Sequence, residues 1–558
     1  MALIAELRSH DIKLHLDEGK LKVSAPKGAM SDELLNRVRA EKAAITAFLL
    51  EMRDAVHAAN EEKAAIQRRA PGVPAVASFA QQRLWFIDQL DGPSAVYNMP
   101  VALRIRGMLK RAALIDSVNA ILARHDVLRT TFVESELDGA LLQVVADVAF
   151  VEIPISVVDP GEVAGRVLAH ARRPFDLRRG PLTRVELLQV ATDDHVLLVN
   201  MHHIASDGWS MGLFVHEFAA NYNAFALDRS AELQPLALQY ADFAHWQREW
   251  LQGPELSRQI DYWKNALASV TPLLELPTDK ARPALRGYHG ATSDFALGVP
   301  LSDALERFAK RQGASLFMTL LAVFHALMAR YSGQNDIAVG SPIANRSRSE
   351  LEGLIGFFAN TLVLRARIAA GMSFRQLLNQ VRDTTLAAYE HQDLPFEQLV
   401  EIIKPQRSMR YTPLFQVMFA VQNNAADIPA LAGLNVEPIL TEGHVAKFDL
   451  NVSVEETADG VIGSIEYSTD LFELATIQRL QRHFVRLIEK CIENPDQDMA
   501  SFDLMSTIET AELVGLSRGS CREWDYDSSI HGDFEAQAGR APDSIALVFE
   551  DEHLSYAE

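Results

Sequence analysis

The sequence predicts a mixed α/β (α+β) fold with several domains, because short apolar strands alternate with amphipathic helices along most of its length. The run His195–Asn200 is short and apolar, which is typical of a buried strand. Phe214, Phe218 and Tyr222 then follow at spacings of four residues, which places them on one helix face. At 558 residues, the chain has room for about three or four units of about 150 residues each.

Composition excludes several classes of protein. The 48% hydrophobic and 23% charged fractions are ordinary for globular chains, and no run reaches the roughly 18 apolar residues of a membrane helix. The N-terminus lacks the charged and apolar regions of a signal peptide, so a cytoplasmic location is expected. Cys491 and Cys521 form no CxxC pair, which argues against a disulfide framework or zinc ribbon. A net charge of -21 disfavours nucleic acid as a partner.

The pattern of apolar and turn residues over positions 1–60 predicts a small αββαα domain. Ile12, Leu14 and Leu16 alternate with polar residues before the turn Asp17-Glu18-Gly19, and Leu21 and Val23 alternate after it, which indicates a hairpin. Its open edge suits β-augmentation by an extended peptide from another chain, and its lysines favour an acidic one. The predicted peptide-binding residues are Ile12, Lys13, Leu14, Lys20, Leu21, Lys22 and Val23. The alternative is a small domain that only stabilises the larger protein.

Composition shifts and loop-like stretches predict the domain boundaries. The predicted order is the αββαα domain at 1–60, a linker at 61–76, a first lobe at 77–270, a second lobe at 271–497, a second linker at 498–532 and the start of a further unit at 533–558.

The stretch Met201–Ser210 is the candidate active centre, since two histidines, a carboxylate and a glycine follow a buried strand. Adjacent strand residues point to opposite faces, so one histidine faces a substrate and the other supports the loop. Asp207 is either a catalytic carboxylate that orients the imidazole or a structural group. A metal held by His202, His203 and Asp207 is a further alternative, although no third histidine or cysteine stands at a supporting spacing.

Other short segments are typical of core packing and capping when each is taken alone. In chain order they are Ser78–Phe86, Arg124–Phe132, Asp336–Arg346, Ile355–Thr361, His391–Phe396 and Pro413–Val417. Together with Met201–Ser210, they resemble the seven ordered motifs of the condensation domains of nonribosomal peptide synthetases.

The resemblance implies a V-shaped pair of chloramphenicol acetyltransferase-like lobes, with a tunnel between them that carrier domains approach from both ends. Residues 1–60 resemble the tubulysin-type docking domains that bind the C-terminal tail of an upstream synthetase subunit. The stretch Ala541–Phe549 is similar to the first residues of an adenylation domain, so the chain is expected to be part of a longer synthetase.

The reaction implied by the resemblance is amide formation between an upstream acyl or peptidyl thioester and the amino group of a downstream aminoacyl thioester. A neutral imidazole suits an attacking amine, so His203 is expected to meet it as a base or as a positioning group. The backbone amide of Gly208 is expected to stabilise the oxyanion, and His202 to support the loop. The resemblance favours a buried ion pair between Asp207 and an arginine. The candidate arginines, in order of preference, are Arg346, Arg124 and Arg129.

The implied partners are upstream and downstream carrier proteins. Because no carrier-like Leu-Gly-Gly-x-Ser segment occurs, their phosphopantetheine arms bring both substrates, and this chain is expected to bind no cofactor and no metal. The amino-acid sequences of the first and third motifs resemble those of the subtype that joins an L-configured donor to an L-configured acceptor. The alternative function is a non-catalytic docking and carrier-recruitment module.

Overall fold

The computed structural model describes residues 13–17, 20–24, 65–70, 72–406, 408–422, 429–439, 445–519 and 529–558. The chain forms two compact units, Met1–Ser501 and Phe502–Glu558. Two large sheets and many helices alternate in the first unit, which confirms the predicted mixed α/β class.

The predicted N-terminal hairpin is present. Strands β1 (Lys13–Asp17) and β2 (Lys20–Ser24) pair antiparallel, with the position of Leu14 opposite Val23 and that of Leu16 opposite Leu21. The two strands form a sheet by themselves within the described part of the chain, so each leaves one edge unpaired there. Ile12 and the three helices predicted for this domain lie outside the described residues.

The first large sheet has five strands and contains the predicted strand pair before the two histidines. In spatial order the strands are β13 (Asn435–Pro438), β3 (Asn98–Arg106), β8 (Asp194–His202), β7 (Thr183–Ala191) and β6 (Ile155–Val157). The sequence pattern predicts two strands at Leu182–Val190 and His195–Met201, and the observed bounds of β7 and β8 differ from these by one residue at each end. β8 lies between β3 and β7 and is buried from its second residue onward, because apolar side chains cover both faces.

Among the described residues up to position 270, six α-helices occur in the same part of the chain as this sheet. Two further strands pair with each other in a separate hairpin. The helices are α1 (Phe79–Asp91), α2 (Arg111–Arg124), α3 (Val163–Arg172), α4 (Gly208–Phe225), α5 (Tyr240–Trp250) and α6 (Gly253–Ala266). The hairpin consists of β4 (Thr130–Glu134) and β5 (Leu141–Val145).

The second large sheet has six strands in the described part of the chain, and one of them covers Asp336–Ser341, which the sequence pattern predicts to be a strand. In spatial order the strands are β11 (Asn360–Arg367), β10 (Asp336–Ile343), β12 (Val417–Gln422), β14 (Leu450–Thr457), β15 (Gly460–Ser468) and β9 (Gly290–Ala296). The accompanying helices are α7 (Val299–Gln312), α8 (Leu316–Ser332), α9 (Ser349–Glu352), α10 (Phe374–Glu390), α11 (Phe396–Ile403) and α12 (Leu474–Glu493). Apolar residues at helical spacing predict a helix over 315–331, and the observed helix α8 begins at Leu316 because Ser315 caps it.

Strand β13 belongs to the first sheet although its neighbours in the chain belong to the second. It pairs antiparallel with β3, from Asn435 opposite Arg106 to Pro438 opposite Leu103. The segment 351–358 also contributes Leu351, Leu354, Ile355 and Phe358 to the hydrophobic core of the first sheet. The second part of the chain therefore completes the core that holds β8.

The unit Phe502–Glu558 contains helices α13 (Thr507–Ser517) and α14 (Ile530–Arg540) and the hairpin β16 (Ile545–Phe549) and β17 (Glu552–Ser555). In the described part of the whole chain, every single helix falls short of the length and apolar content needed to cross a membrane. One bent pair, α7 with α8, meets those two criteria jointly across a bend of 101°.

Candidate active site

The candidate site begins where β8 ends. His202 is the last residue of the strand, and the backbone N–H of His203 donates to the carbonyl oxygen of Tyr97 at 2.8 Å. The chain then turns within four residues, and Asp207 caps helix α4 by accepting from the backbone N–H of Ser210 at 2.9 Å. The strand, tight turn and cap fix both histidines at the junction of sheet and helix.

The His202 ring is enclosed by aromatic side chains. Its centroid lies 5.9 Å from that of Phe175 and 6.3 Å from that of Tyr97, and its Nδ1 accepts from the backbone N–H of Ile204 at 3.1 Å. Burial above all, with further contributions from the neighbouring His203 and Lys447, lowers the pKa of His202 to about 3. The ring is therefore neutral, and Nε2 carries its proton because Nδ1 is an acceptor.

The His203 ring meets Phe357. The two ring centroids are 4.6 Å apart, with an interplanar angle of 63°. Within the described residues, the buried Nδ1 atom has no hydrogen-bond partner. Burial and then the positive charge of Lys447 lower the pKa of His203 to about 4, although Asp207 acts in the opposite direction. His203 is therefore a neutral imidazole at physiological pH.

The Asp207 carboxylate is almost fully buried and accepts hydrogen bonds from five groups. Oδ1 accepts from the Ser210 amide (2.9 Å), the Ser210 hydroxyl (2.7 Å) and Arg346 Nη2 (3.1 Å). Oδ2 accepts from the backbone amides of Phe358 (3.0 Å) and Ala359 (3.2 Å). Among the described residues, these are the groups that donate to the Asp207 carboxylate, and the His203 ring is not one of them.

Of the three predicted arginines, Arg346 is the one that the structure brings to Asp207. Its Nη1 donates to the carbonyl oxygens of Leu351 (2.6 Å) and Leu354 (2.7 Å), and its guanidinium lies 4.0 Å from the ring centroid of Phe358. The Asp207 and Arg346 side chains are each 2% exposed. The ion pair thus joins the start of α4 to the segment 351–359, which also carries Phe357.

The two other arginines do not contact Asp207, which corrects their assignment as possible partners. Arg124 Nε donates to Glu217 Oε1 at 2.9 Å, because the end of α2 packs beside the middle of α4. Arg129 Nη2 donates to Asp126 Oδ1 at 2.5 Å within a single 3-10 turn, Asp126–Arg129. Both arginines therefore find closer carboxylates.

Arg124 nevertheless belongs to a second connection between α4 and the segment 351–359. Glu217, which Arg124 binds, also lies 3.0 Å from His125 Nε2, and His125 Nδ1 accepts from the backbone N–H of Ile355 at 3.3 Å. An isolated histidine such as His125 is expected to be a hydrogen-bonded structural residue, and both of its ring nitrogens have a hydrogen-bond partner.

Gly208 is the first residue of α4, and its backbone is exposed. A Cβ atom added to it would meet no described atom within 4 Å. Packing within the described structure therefore does not require glycine at this position.

Three side chains near the histidines were not identified from the sequence. Phe357 lies in a predicted motif but was given no role, and Tyr97 and Lys447 lie outside every motif. The Lys447 Nζ atom lies 4.8 Å from the ring centroid of Tyr97. Only three-dimensional packing brings these residues together.

The candidate peptide-binding residues of the N-terminal domain lie on its two strands. Lys13 and Leu14 are in β1, and Lys20–Val23 are in β2. Over the residues that the structure describes, no group of three or more histidine, cysteine, aspartate or glutamate side chains is arranged to hold a metal ion.

Comparison with known proteins gives the family. Residues 74–514 match the model of the condensation domain, and residues 1–51 match that of the TubC N-terminal docking domain. The chain therefore belongs to the condensation-domain family, here preceded by a docking domain.

Similar curated relatives are large peptide synthetases. Two proteins of the linear gramicidin synthase of Brevibacillus parabrevis are each 42% identical over 490 residues, and the match covers 86% of this chain but 6% of one relative and 10% of the other. Malpinin synthetase of Mortierella alpina is 40% identical over 498 residues, with 86% of this chain and 6% of that protein covered. The chain thus spans a small part of the length of the relatives that it matches.

Solved structures share the fold. The X-domain from teicoplanin biosynthesis is 29% identical, with a TM-score of 0.73 over 79% of this chain and 100% of that one. A four-domain nonribosomal peptide synthetase bound to AMP and glycine has a TM-score of 0.74, with 22% identity over 87% of this chain and 38% of that one. The latter likeness concerns the fold alone.

Proposed function

We propose that this chain catalyses amide formation between two carrier-bound thioesters. The amino group of a downstream aminoacyl thioester attacks the carbonyl carbon of an upstream acyl or peptidyl thioester. A C–N bond forms, the C–S bond breaks, and the upstream phosphopantetheine leaves as a thiol after taking up the proton that the amine loses. Membership of the condensation-domain family supports this reaction class.

The observation that carries the proposal is the neutral, half-buried His203 imidazole at the end of β8. Because Nδ1 is enclosed, Nε2 is the ring nitrogen that meets the substrate amine. A neutral nitrogen accepts a hydrogen bond from the amine and orients its lone pair toward the thioester, or takes the proton after attack. Fixing both thioesters beside this nitrogen contributes to the rate through proximity.

The other residues of the motif have separate roles in this proposal. His202 is enclosed and supports the turn, and Asp207 with Arg346 holds the turn against the segment 351–359. Gly208 leaves open space at the start of α4, where backbone N–H groups point out of the helix and a developing oxyanion is stabilised.

The test is a reaction with donor and acceptor carriers that have been loaded with their substrates, followed by mass spectrometry of the amide product. His203→Ala is expected to lower the rate by about 100-fold or more, the range for loss of a general base. Product formation that persists in His203→Ala would remove this residue from the mechanism. Absence of product with every cognate carrier pair would favour the alternative of a non-catalytic recruitment module.

Two glycines of α4 test the oxyanion assignment. Gly208→Ala and Gly212→Ala each place a methyl group in open space within the helix, so both variants should fold and be slightly more stable than the wild type, by about 0.4–1 kcal/mol. Gly208→Ala should slow condensation by about tenfold or more because the methyl group displaces the thioester, whereas Gly212→Ala should not. Equal rates for both variants would contradict the assignment of Gly208.

A chelator separates this proposal from a metal centre at His202, His203 and Asp207. Full activity in the presence of chelator is expected. Loss of activity that zinc restores would replace the imidazole mechanism by a metal-dependent one.

We also propose that the hairpin β1–β2 binds the C-terminal tail of an upstream synthetase subunit. Its two-stranded sheet offers strand edges, and the match of residues 1–51 to the docking-domain model supports this use. The further expectations are an acidic tail, L-configured substrates, a cytoplasmic location and an adenylation domain that begins near residue 533. Each of these is a proposal from the sequence.

A further inference from the structure

Lys447 contacts Tyr97, which lies beside the histidine pair. It stands three residues before β14, and its Nζ atom lies 4.8 Å from the ring centroid of Tyr97, which directly precedes β3 of the first sheet. At this distance, an ammonium group is attracted to the face of an aromatic ring. The contact therefore joins the two sheets at the candidate active site.

Tyr97 is the residue that contacts both histidines. Its carbonyl oxygen accepts from the His203 N–H at 2.8 Å, and its ring centroid lies 6.3 Å from that of His202. A change in the position of Tyr97 would therefore move the carbonyl oxygen that binds the His203 backbone N–H.

The charge of Lys447 has little direct compensation. Among the described residues, its ammonium group makes no hydrogen bond and no ion pair within 4.0 Å. Glu466 on β15 is the acidic group that acts on it, and Arg83 on α1 opposes this effect although Arg83 is itself paired with Glu397 at 2.6 Å. Burial lowers the pKa of Lys447 to about 8, so the ammonium form still dominates at pH 7. Lys447 is a half-buried cation, and withdrawing such a group from water favours its neutral form.

The positive charge of Lys447 acts on the imidazoles of both histidines. Lys447 lowers the pKa of both rings, and for His203 its effect is second only to burial. The charged and titratable groups that act on the pair or on Lys447 are Asp207 at the start of α4, Arg184 on β7, Arg83 on α1 and Glu466 on β15.

We propose that Lys447 is a positioning residue for His203: its cation–π contact anchors Tyr97, whose carbonyl oxygen holds the His203 backbone N–H, and its positive charge acts on the His203 imidazole. This inference rests on the proposed amide-forming reaction. A neutral His203 remains able to accept a hydrogen bond from the amine even in mildly acidic solution. Loss of the Lys447 charge would make protonation of His203 easier and close the acidic end of the active pH range.

The first test is the pH profile of amide formation with loaded carriers at saturating concentration. In Lys447→Met, the midpoint of the acidic limb should move to higher pH by about one unit, the size expected for removal of a nearby like charge. Lys447→Arg keeps the charge and should restore the wild-type midpoint. Lys264→Met, at an exposed position on α6, removes one charge elsewhere and should leave the midpoint unchanged.

The second test does not depend on catalysis. Diethyl pyrocarbonate acylates the neutral imidazole, so the pH dependence of its reaction at His203, mapped by mass spectrometry with His203→Ala as the reference, reports the protonation of this ring. The midpoint should move to higher pH in Lys447→Met as well. Lys447→Gln provides a second neutral variant, and circular dichroism verifies that each variant is folded.

An unchanged acylation midpoint in folded Lys447→Met or Lys447→Gln would overturn the proposal. If wild-type protein forms no amide but the acylation midpoint moves, the electrostatic role of Lys447 stands while the proposed function fails. A Lys447→Arg variant that behaves like Lys447→Met would also contradict the proposal, because it retains the charge.

Discussion

Asp207 holds its place through hydrogen bonds to its carboxylate rather than through contact with the His203 imidazole. Two of its donors are backbone amides from the segment 351–359, and a third is the buried Arg346 guanidinium. A carboxylate with this many donors suits a structural role, because each oxygen is already engaged and desolvation of the charge is compensated.

Asp207→Asn should therefore lose stability and activity together. The new amide NH₂ would face donors, and Arg346 would be left as a buried charge without its partner, at a cost of about 3–5 kcal/mol in the free energy of unfolding. Urea denaturation and the condensation assay measure the two losses. Asp496→Asn, which removes the exposed partner of Arg375, is the matched control and should change neither quantity.

Full stability with lost activity in Asp207→Asn would contradict the structural role and indicate a catalytic carboxylate. If Asp207→Asn keeps the wild-type free energy of unfolding and the wild-type condensation rate, the ion pair with Arg346 contributes little to either.

The residues of the site that could be predicted from the sequence are those in one contiguous motif. His202, His203 and Asp207 stand together after an apolar strand, so their proximity required no knowledge of the fold. Tyr97, Phe357 and Lys447 come from three separate segments, and their approach depends on how two sheets pack. Arg346 was named through a family resemblance, whereas Glu217, the actual partner of Arg124, had no distinguishing pattern.

At the scale of elements, the segment 351–359 determines the position of Phe357 against His203. A Cβ atom on Gly356 would lie 2.0 Å from Tyr240 Cδ2, and the Tyr240 hydroxyl donates to the Phe357 carbonyl oxygen at 2.6 Å. Tyr240 is buried, so the ring has little space to move aside.

Gly356→Ala should displace this segment and weaken both folding and condensation. Overpacking of this kind costs about 1–3 kcal/mol in the free energy of unfolding, and the condensation rate should fall because Phe357 moves away from His203. Gly353→Ala is the control, since its nearest contact would be Leu236 Cδ2 at 3.7 Å. Equal stability and activity in the two variants would show that the segment adapts without moving Phe357.

Helix α8 contains a buried histidine that makes folding sensitive to acid. His325 is 1% exposed, and burial lowers its pKa to about 3, far below the value of about 6.5 expected in the unfolded chain. The unfolded state binds more protons between these two values, so the contribution of His325 to stability is complete above pH 6.5 and is lost as the pH falls toward 3.

His325→Leu should reduce the pH dependence of stability. Between about pH 4 and 6, the free energy of unfolding should depend on pH less steeply by about 1.4 kcal/mol per pH unit. Urea denaturation at a series of pH values measures this slope. His216→Gln, at an exposed position on α4, should retain the wild-type slope, and an unchanged slope in His325→Leu would show that His325 is protonated without unfolding.

The positions of helices and strands along the chain could be predicted from the sequence more fully than the pairing of strands within the sheets. The bounds of β7, β8 and α8 follow from apolar periodicity and from caps such as Ser315, which are local signals. The pairing of β13 with β3 joins residues more than 300 positions apart, and no local pattern specifies such a pairing.

For the molecule as a whole, the docking hairpin and the condensation site are expected to act independently. Lys20→Glu combined with Lys22→Glu should weaken capture of an acidic upstream tail, because both positions lie on β2 and the charge on this strand is reversed. Fluorescence anisotropy with a labelled tail peptide at low and high salt measures the loss, and condensation of directly supplied carriers should be unchanged.

Lys264→Glu, an exposed charge reversal on α6, controls for net charge and should not affect capture. Tail binding that is insensitive to both salt and the Lys20 and Lys22 reversals would show that the hairpin does not recognise the tail through charge.

The path of β13 has a consequence for recombining synthetases. A hybrid protein that exchanges only residues 77–270 would keep a foreign β13 on its central sheet, together with foreign core residues from 351–358. The first half of the domain is therefore not a portable module. The smallest exchangeable part that preserves its native contacts includes these two distant segments. A junction placed after the complete condensation domain therefore disrupts fewer core contacts than a junction placed at its midpoint.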